Sequence, residues 1–192
     1  MIATDRFAKV EIASPDALRD WLMGNHGQAE SVWLVTWKKH VGIRYLSREE
    51  VLDALLCFGW IDGIRRRLND DQTMQLISPR QQQAWAKSYK DRVEILEATG
   101  QMEQAGRDAI KRSKALGLWD AKSAVDALIV PSDLRDALDT AAGAALWFDN
   151  AAPSYRRNVL RWLDNAVRHE TRTKRIGEIA KLSGDGRKVL HM

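Results

Sequence analysis

Any chemistry this chain performs must draw on charged and aromatic residues near one glycine-bracketed corner, Cys57-Phe58-Gly59-Trp60-Ile61-Asp62-Gly63. Asp62 is the one carboxylate in an otherwise apolar passage, and Arg65, Arg66 and Arg67 follow it directly. Lys38, Lys39, Trp60, Arg66, Arg80 and Trp85 join Asp62 as the candidate ligand site. An aspartate beside an arginine is held ionised. Such a pair can orient a polar substrate or grip an anion bidentately. Strand residues alternate faces, so Arg66 falls on the side of Asp62, and Arg65 with Arg67 on the other, unless Gly63 makes a bulge. The competing assignment is structural: Asp62 caps a turn, and the arginines protect an edge strand against aggregation.

A second set lies near the C-terminus, where Arg157, Arg161, Arg168, Arg172 and Arg175 succeed one another at helix-compatible steps. If Pro153 to Ile176 were nearly continuous helix, these five would share one face, and a row of arginines can track phosphates. Nucleic acid is therefore a possible partner. Asp164, Glu170 and Glu178 interrupt the row, however, and acids on the same helix commonly form ordinary ion pairs. No helix-turn-helix, zinc-finger or RNA-recognition signature accompanies it.

Other chemistries find less support. Cys57 is the single cysteine, which excludes an intramolecular disulfide, and its neighbours Leu55, Leu56 and Phe58 suit a buried, inert thiol. His26, His40, His169 and His191 are scattered, without metal-ligand spacing. There is no phosphate-binding loop, dinucleotide fingerprint or nucleophile elbow. No catalytic motif, cofactor or metal is expected.

The elements that must position these residues are legible. Ser14-Pro15-Asp16 opens a helix with a cap, a proline at the first position and an acid at the positive dipole end. Val32 to Trp37 is dense in β-branched and aromatic residues and reads as a buried strand. Ser47 and Glu50 form a capping box ahead of Val51, Leu52, Leu55 and Leu56. Strands from Ile64 to Leu68 and Thr73 to Ile77 flank Asn69-Asp70-Asp71-Gln72, a hairpin turn. Beyond Ser78-Pro79-Arg80 the pattern is helical, with segments at 84–98, 101–116, 132–141 and 153–169 and a last helix reaching Leu182. Strands come early and helices late, without βαβ alternation. The expected fold is α+β: a small, mainly antiparallel sheet with packed helices, then a helical C-terminal portion. Residues 1–128 would form the first part and 129–192 the second.

Composition sets the outer bounds. At 192 residues and 45% hydrophobic, the chain can bury a substantial core, and a net charge of +4 permits acidic partners without demanding them. Eight tryptophans against three phenylalanines and three tyrosines imply either a core built on indoles, the usual fate of aromatics, or a groove lined by several of them. Met1 to Glu11 lacks the apolar stretch of a signal peptide, and no run approaches the length needed to span a bilayer. A cytoplasmic protein without membrane insertion is expected.

Several blocks together carry a resemblance. They are Val32-Trp33-Leu34 with Lys38-Lys39, Ala54-Leu55 through Gly63, Ser78-Pro79-Arg80, Arg92-Val93, Gly100-Gln101-Met102 and Ala105-Gly106. Arg161-Trp162, Arg168, Glu170-Thr171-Arg172 and Arg175-Ile176 follow in order. The chain resembles the YdeI/OmpD-associated, or bacteriocin-protection, family. The resemblance implies tolerance of antimicrobial peptides or envelope stress through an unknown protein partner, and carries no catalytic mechanism. Gln81, Ala84 and Glu103-Gln104 depart from the arginine, serine and proline that the family pattern would place there. If the basic cluster around Arg80 binds an anion in the family, Gln81 weakens it here.

Overall fold

The computed structural model describes residues 6–190. The chain divides between Ala121 and Lys122 into two compact units.

The first unit is α+β. Among the described residues its four strands are β1 (Lys9–Glu11), β2 (Val32–Trp37), β3 (Trp60–Arg67) and β4 (Gln72–Pro79), in the order β1-β2-β4-β3. The β2–β4 and β4–β3 pairs are antiparallel, whereas β1 runs parallel to β2, with Lys9 opposite Trp33. The sheet is therefore mixed. With helix α1 (Pro15–Asn25) between β1 and β2, it contains one small βαβ unit that the sequence pattern had excluded. Three residues of strand are too few to show a period of two.

The helices of this unit are α1, α2 (Arg48–Cys57), α3 (Lys87–Ala98) and α4 (Gln104–Ala115). Ser14 caps α1 by accepting from Ala17 N at 3.1 Å, and the Ser47–Glu50 capping box of α2 is complete. Leu18, Leu22, Leu55, Leu56, Val93 and Leu96 pack with Val32, Leu34, Trp60 and Ile77 from one face of the sheet. Trp33, Trp60 and Trp85 are among the largest fully buried side chains, in keeping with a core built on indoles.

The corner between α2 and β3 packs tightly on α4. Gly59 has φ +73°, and a Cβ there would lie 2.6 Å from Ala109 Cβ. Gly106 faces it, where a Cβ would lie 2.3 Å from the Cys57 carbonyl oxygen. Both glycines are required by close backbone approach. β3 begins at Trp60, inside the corner, so most of the sequence block that reads as a loop is strand.

The second unit is helical: α5 (Ser123–Asp126), α6 (Ser132–Thr140), α7 (Ala144–Asn150), α8 (Pro153–Asp164) and α9 (His169–Gly184). Leu134, Leu138, Phe148, Val159, Leu163 and Ile179 form its core. Trp147 and Trp162 pack against that core from its margin.

Candidate functional site

The β3–β4 pairing decides which charges meet. Asp62 lies opposite Ile77, but Arg65 lies opposite Gln75, so β3 carries an extra residue between them. This bulge at Gly63-Ile64 reverses the alternation beyond it. Arg65, not Arg66, shares the helix-packed face with Asp62. Arg66 stands opposite Met74 on the other face, its guanidinium 5.2 Å from the Trp33 ring centre.

A chain of hydrogen bonds follows. Arg65 Nη2 donates to Gln75 Oε1 at 2.9 Å, and Gln75 Nε2 donates to Asp62 Oδ2 at 3.2 Å. The Tyr89 hydroxyl donates to Asp62 Oδ1 at 2.6 Å. Burial, and then the bond to Asp62, push the Tyr89 hydroxyl up to about 12. Asp62 thus anchors α3 to the sheet rather than capping a turn.

Arg80 is the unusual member. It leaves β4 just beyond Pro79, its N–H bonded to the Gly59 carbonyl at 2.9 Å, and only 3% of its surface is exposed. Its guanidinium sits 4.0 Å from the Trp85 ring centre and 5.5 Å from that of Tyr89. These aromatic faces stabilise a desolvated cation by about 2 kcal/mol. Nη1 donates to the Gln83 carbonyl at 3.3 Å, while Nε and Nη2 are buried with no partner among the described residues. Burial lowers the Arg80 pKa to about 10, with Tyr89 and Asp62 acting in opposition. A buried donor left unpaired costs about 1–3 kcal/mol, and more when charged.

Beside Arg80 lies a cleft of ≈ 650 Å³, walled by the loop after α1 (His26 to Ala29), the Phe58-Gly59 corner, Pro79 to Gln82, and Ala105, Asp108, Arg112 and Leu116 of α4. A smaller cleft of ≈ 260 Å³ opens at Asp62 and Gln75, between Arg48, Glu49, Val51 and Leu52.

The other candidates are placed elsewhere. Trp60 is fully buried, its indole N–H 3.3 Å from the His26 carbonyl, which makes it core. Lys38 Nζ closes the hairpin turn through the carbonyls of Asn69 and Asp70 at 2.7 and 2.8 Å. Lys39 is exposed at the start of the 3-10 segment Lys39–Arg44. Trp85 packs at 4.9 Å on Trp119, beneath Arg80. Of the expected site, Asp62, Arg80 and Trp85 fall in one neighbourhood. Tyr89, Gln75, His26 and Arg112 lay outside the expected site, and Arg65 was expected on the opposite face. Gln75 carried no signal of its role, since it alternates with Met74 and Leu76 and by sequence reads as the solvent-facing position.

In the second unit the arginine stripe is broken. Helix α8 ends at Asp164 and α9 starts at His169, so the nearly continuous helix that would align the five does not form. Arg172 binds Asp133 bidentately, Nε to Oδ2 at 2.6 Å and Nη2 to Oδ1 at 2.9 Å. Arg161 pairs with Asp126 at 3.5 Å. Arg175 donates to the Trp162 carbonyl and lies 4.6 Å from its ring centre. Arg157 is half-buried, and Arg168 is exposed as the cap of α9. Three of the five are thus spent within the unit.

Among the described residues no cluster of His, Cys, Asp and Glu could hold a metal ion, and no helix is long and apolar enough to cross a membrane. Cys57 is fully buried, and burial pushes its thiol up, away from thiolate chemistry.

Comparison with known proteins divides the chain along similar lines. Residues 10–109 match the family described as Domain of unknown function (DUF8412). Residues 127–186 match the family described as Bacteriocin-protection, YdeI or OmpD-Associated. The blocks from Val32 to Gly106 fall in the first match and those from Arg161 to Ile176 in the second, so the YdeI/OmpD-associated profile covers less of the chain than the resemblance had spanned. No curated protein and no solved structure matches the chain. Through residues 10–109, just over half of its length, the chain belongs to the DUF8412 family, and over residues 127–186 it is similar to the bacteriocin-protection, YdeI or OmpD-associated family.

Proposed function

We propose that this chain is a non-catalytic, cytoplasmic protein of bacteriocin protection, raising tolerance of antimicrobial peptides or envelope stress by binding a protein partner. The observation that carries this reading is the match of residues 127–186 to the bacteriocin-protection description. The charge arrangement supports a protein partner over nucleic acid, because Arg161, Arg172 and Arg175 are engaged within the unit. The same unit presents Leu146, 72% exposed, beside Trp147, Ala151 and Lys188 in a shallow groove of ≈ 500 Å³. An exposed leucine next to an indole and one cation suits a partner with apolar and acidic side chains.

The test is a bacteriocin challenge of cells lacking the protein, complemented with the wild-type chain or with Leu146→Asp. Sensitivity of the deletion, rescued by the wild type and not by Leu146→Asp, is expected, with the protein in the soluble cytoplasmic fraction. Equal survival of deleted and wild-type cells across a panel of pore-forming peptides would remove this reading.

A further inference from the structure

The Nε and Nη2 atoms of Arg80, the two without partners, form the side edge of the guanidinium, which presents two parallel N–H groups. At two other arginines of this chain the same edge is filled by a carboxylate. Arg92 binds Asp53 through Nε and Nη2, and Arg172 binds Asp133 in the same way. Around Arg80 stand the rings of Trp85 and Tyr89, and Nη1 is bonded to Gln83, so the buried Nε–Nη2 edge is what lacks a hydrogen-bond partner. No carboxylate makes an ion pair with Arg80 among the described residues, and Asp62 spends its oxygens on Tyr89 and Gln75.

The adjoining cleft has the matching charge. Arg112 stands on its wall with Arg80, against a single carboxylate, Asp108, which accepts from Gln104 at 2.9 Å. Arg112 is exposed and has no ion pair among the described residues. Gln81, Gln82 and Gln83 carry the chain past the guanidinium as an exposed, irregular stretch, held to Arg80 by the single contact from Nη1.

We propose that Arg80 anchors a binding site for a small oxyanion, a carboxylate or phosphate group, which enters through the cleft between the α1 loop and α4. The oxyanion accepts both N–H groups of the Nε–Nη2 edge, as Asp53 and Asp133 do for Arg92 and Arg172. The Gln81–Gln83 stretch shifts to admit it, and Arg112 attracts it at the rim. Phe58, Ala105 and Leu116 give the remainder of the ligand an apolar wall. This site lies in the first unit and stands independently of the partner-binding role assigned to the second.

Isothermal titration calorimetry with inorganic phosphate and with succinate, at matched ionic strength in chloride, tests the proposal on the full chain. Saturable binding of at least one of the two is expected, and which one binds identifies the acceptor chemistry. Arg80→Lys keeps the charge but loses the two-donor edge, so affinity should fall roughly tenfold or more. Arg112→Gln, an exposed change that leaves the core intact, should weaken binding several-fold and flatten its salt dependence. It decides the matter if Arg80→Lys fails to fold. No saturable binding of either probe up to tens of millimolar would overturn the site, and so would binding that Arg112→Gln and a folded Arg80→Lys leave unchanged.

Discussion

Gly106→Ala places two opposing effects in one residue. Gly106 lies in the first turn of α4, where alanine is the better helix former by at most about 1 kcal/mol. Its new Cβ, however, would stand 2.3 Å from the Cys57 carbonyl oxygen and 2.8 Å from both the Cys57 carbonyl carbon and the Leu56 oxygen. All three are backbone atoms of the last turn of α2, so no side chain can swing aside. Carbon–oxygen contacts settle near 3.3 Å or beyond, so α4 must retreat by about 1 Å. Its neighbours Ala105 and Ala109 already abut Gly59, and Glu103 N bonds the Cys57 carbonyl at 3.2 Å. Overpacking of this kind costs about 1–3 kcal/mol and sometimes more. The close contact therefore wins, with a net loss of roughly 1–2 kcal/mol and a fall in urea midpoint of the order of 1 M. Gly177→Ala is the control, since Gly177 lies within α9 and a Cβ there meets nothing within 4 Å. The same substitution should stabilise that unit by about 0.5–1 kcal/mol. Urea unfolding followed by tryptophan fluorescence and far-ultraviolet circular dichroism reads both, with the two units fitted as separate transitions. A Gly106→Ala midpoint equal to or above wild type would refute the argument that the corner is locked by backbone contact.

Further outcomes follow from the charge arrangement. Tyr89, pushed up to about 12, favours its neutral form in the folded chain, so its stabilisation is full below the ordinary value near 10 and disappears as pH climbs toward 12. The phenolate absorbance lost in Tyr89→Phe should centre near 12, and near the ordinary value of about 10 if the hydroxyl is neither buried nor bonded to Asp62 in solution. Arg172 and Arg135 hold the Asp133 and Asp149 carboxyls below their usual range. Their ionised forms stabilise the fold above the unfolded carboxylate pKa of about 4, and that contribution is lost as pH falls through the lowered folded values. Asp133→Asn combined with Asp149→Asn should flatten the acid limb of the second unit's stability, and an unaltered slope would contradict this. Ser47→Ala removes the capping box of α2 and should cost about 1 kcal/mol in thermal or urea unfolding, whereas no change would mean that the cap is redundant. Cys57 should resist aromatic disulfide reagents at neutral pH until the first unit unfolds, and prompt labelling would show the thiol to be accessible.

Local rules were enough where a signal is short-ranged. Val32–Trp37 formed the strand its β-branched and aromatic composition indicated, and Ser14 and Ser47 capped the helices they precede. The hairpin formed around Asn69 to Gln72, where Asn69 Oδ1 accepts from Asp71 N and Gln72 N at 2.9 and 2.7 Å. Strand β1 escaped notice because three residues carry too little pattern, and its pairing with β2 depends on a partner more than twenty positions away. The arginine stripe failed as a stripe because Asn165 to Arg168 interrupts the helix, and because its acidic partners Asp126 and Asp133 come from α5 and α6.

The candidate site shows most plainly where sequence stops. The sequence by itself determined that a glycine-bracketed corner carries Asp62, that arginines follow it, and that Arg80 and Trp85 lie near the end of the hairpin. Only the tertiary structure decided which of these meet. One extra residue at Gly63-Ile64 exchanges Arg66 for Arg65 beside Asp62, because a shift of one in a period of two reverses every side chain beyond it. Packing of α3 on the sheet brings Tyr89 to Asp62 and seats Arg80 between two aromatic rings with one edge unpaired. Burial and long-range contact set the pairing of those charges, and neither is a property of any short stretch of chain.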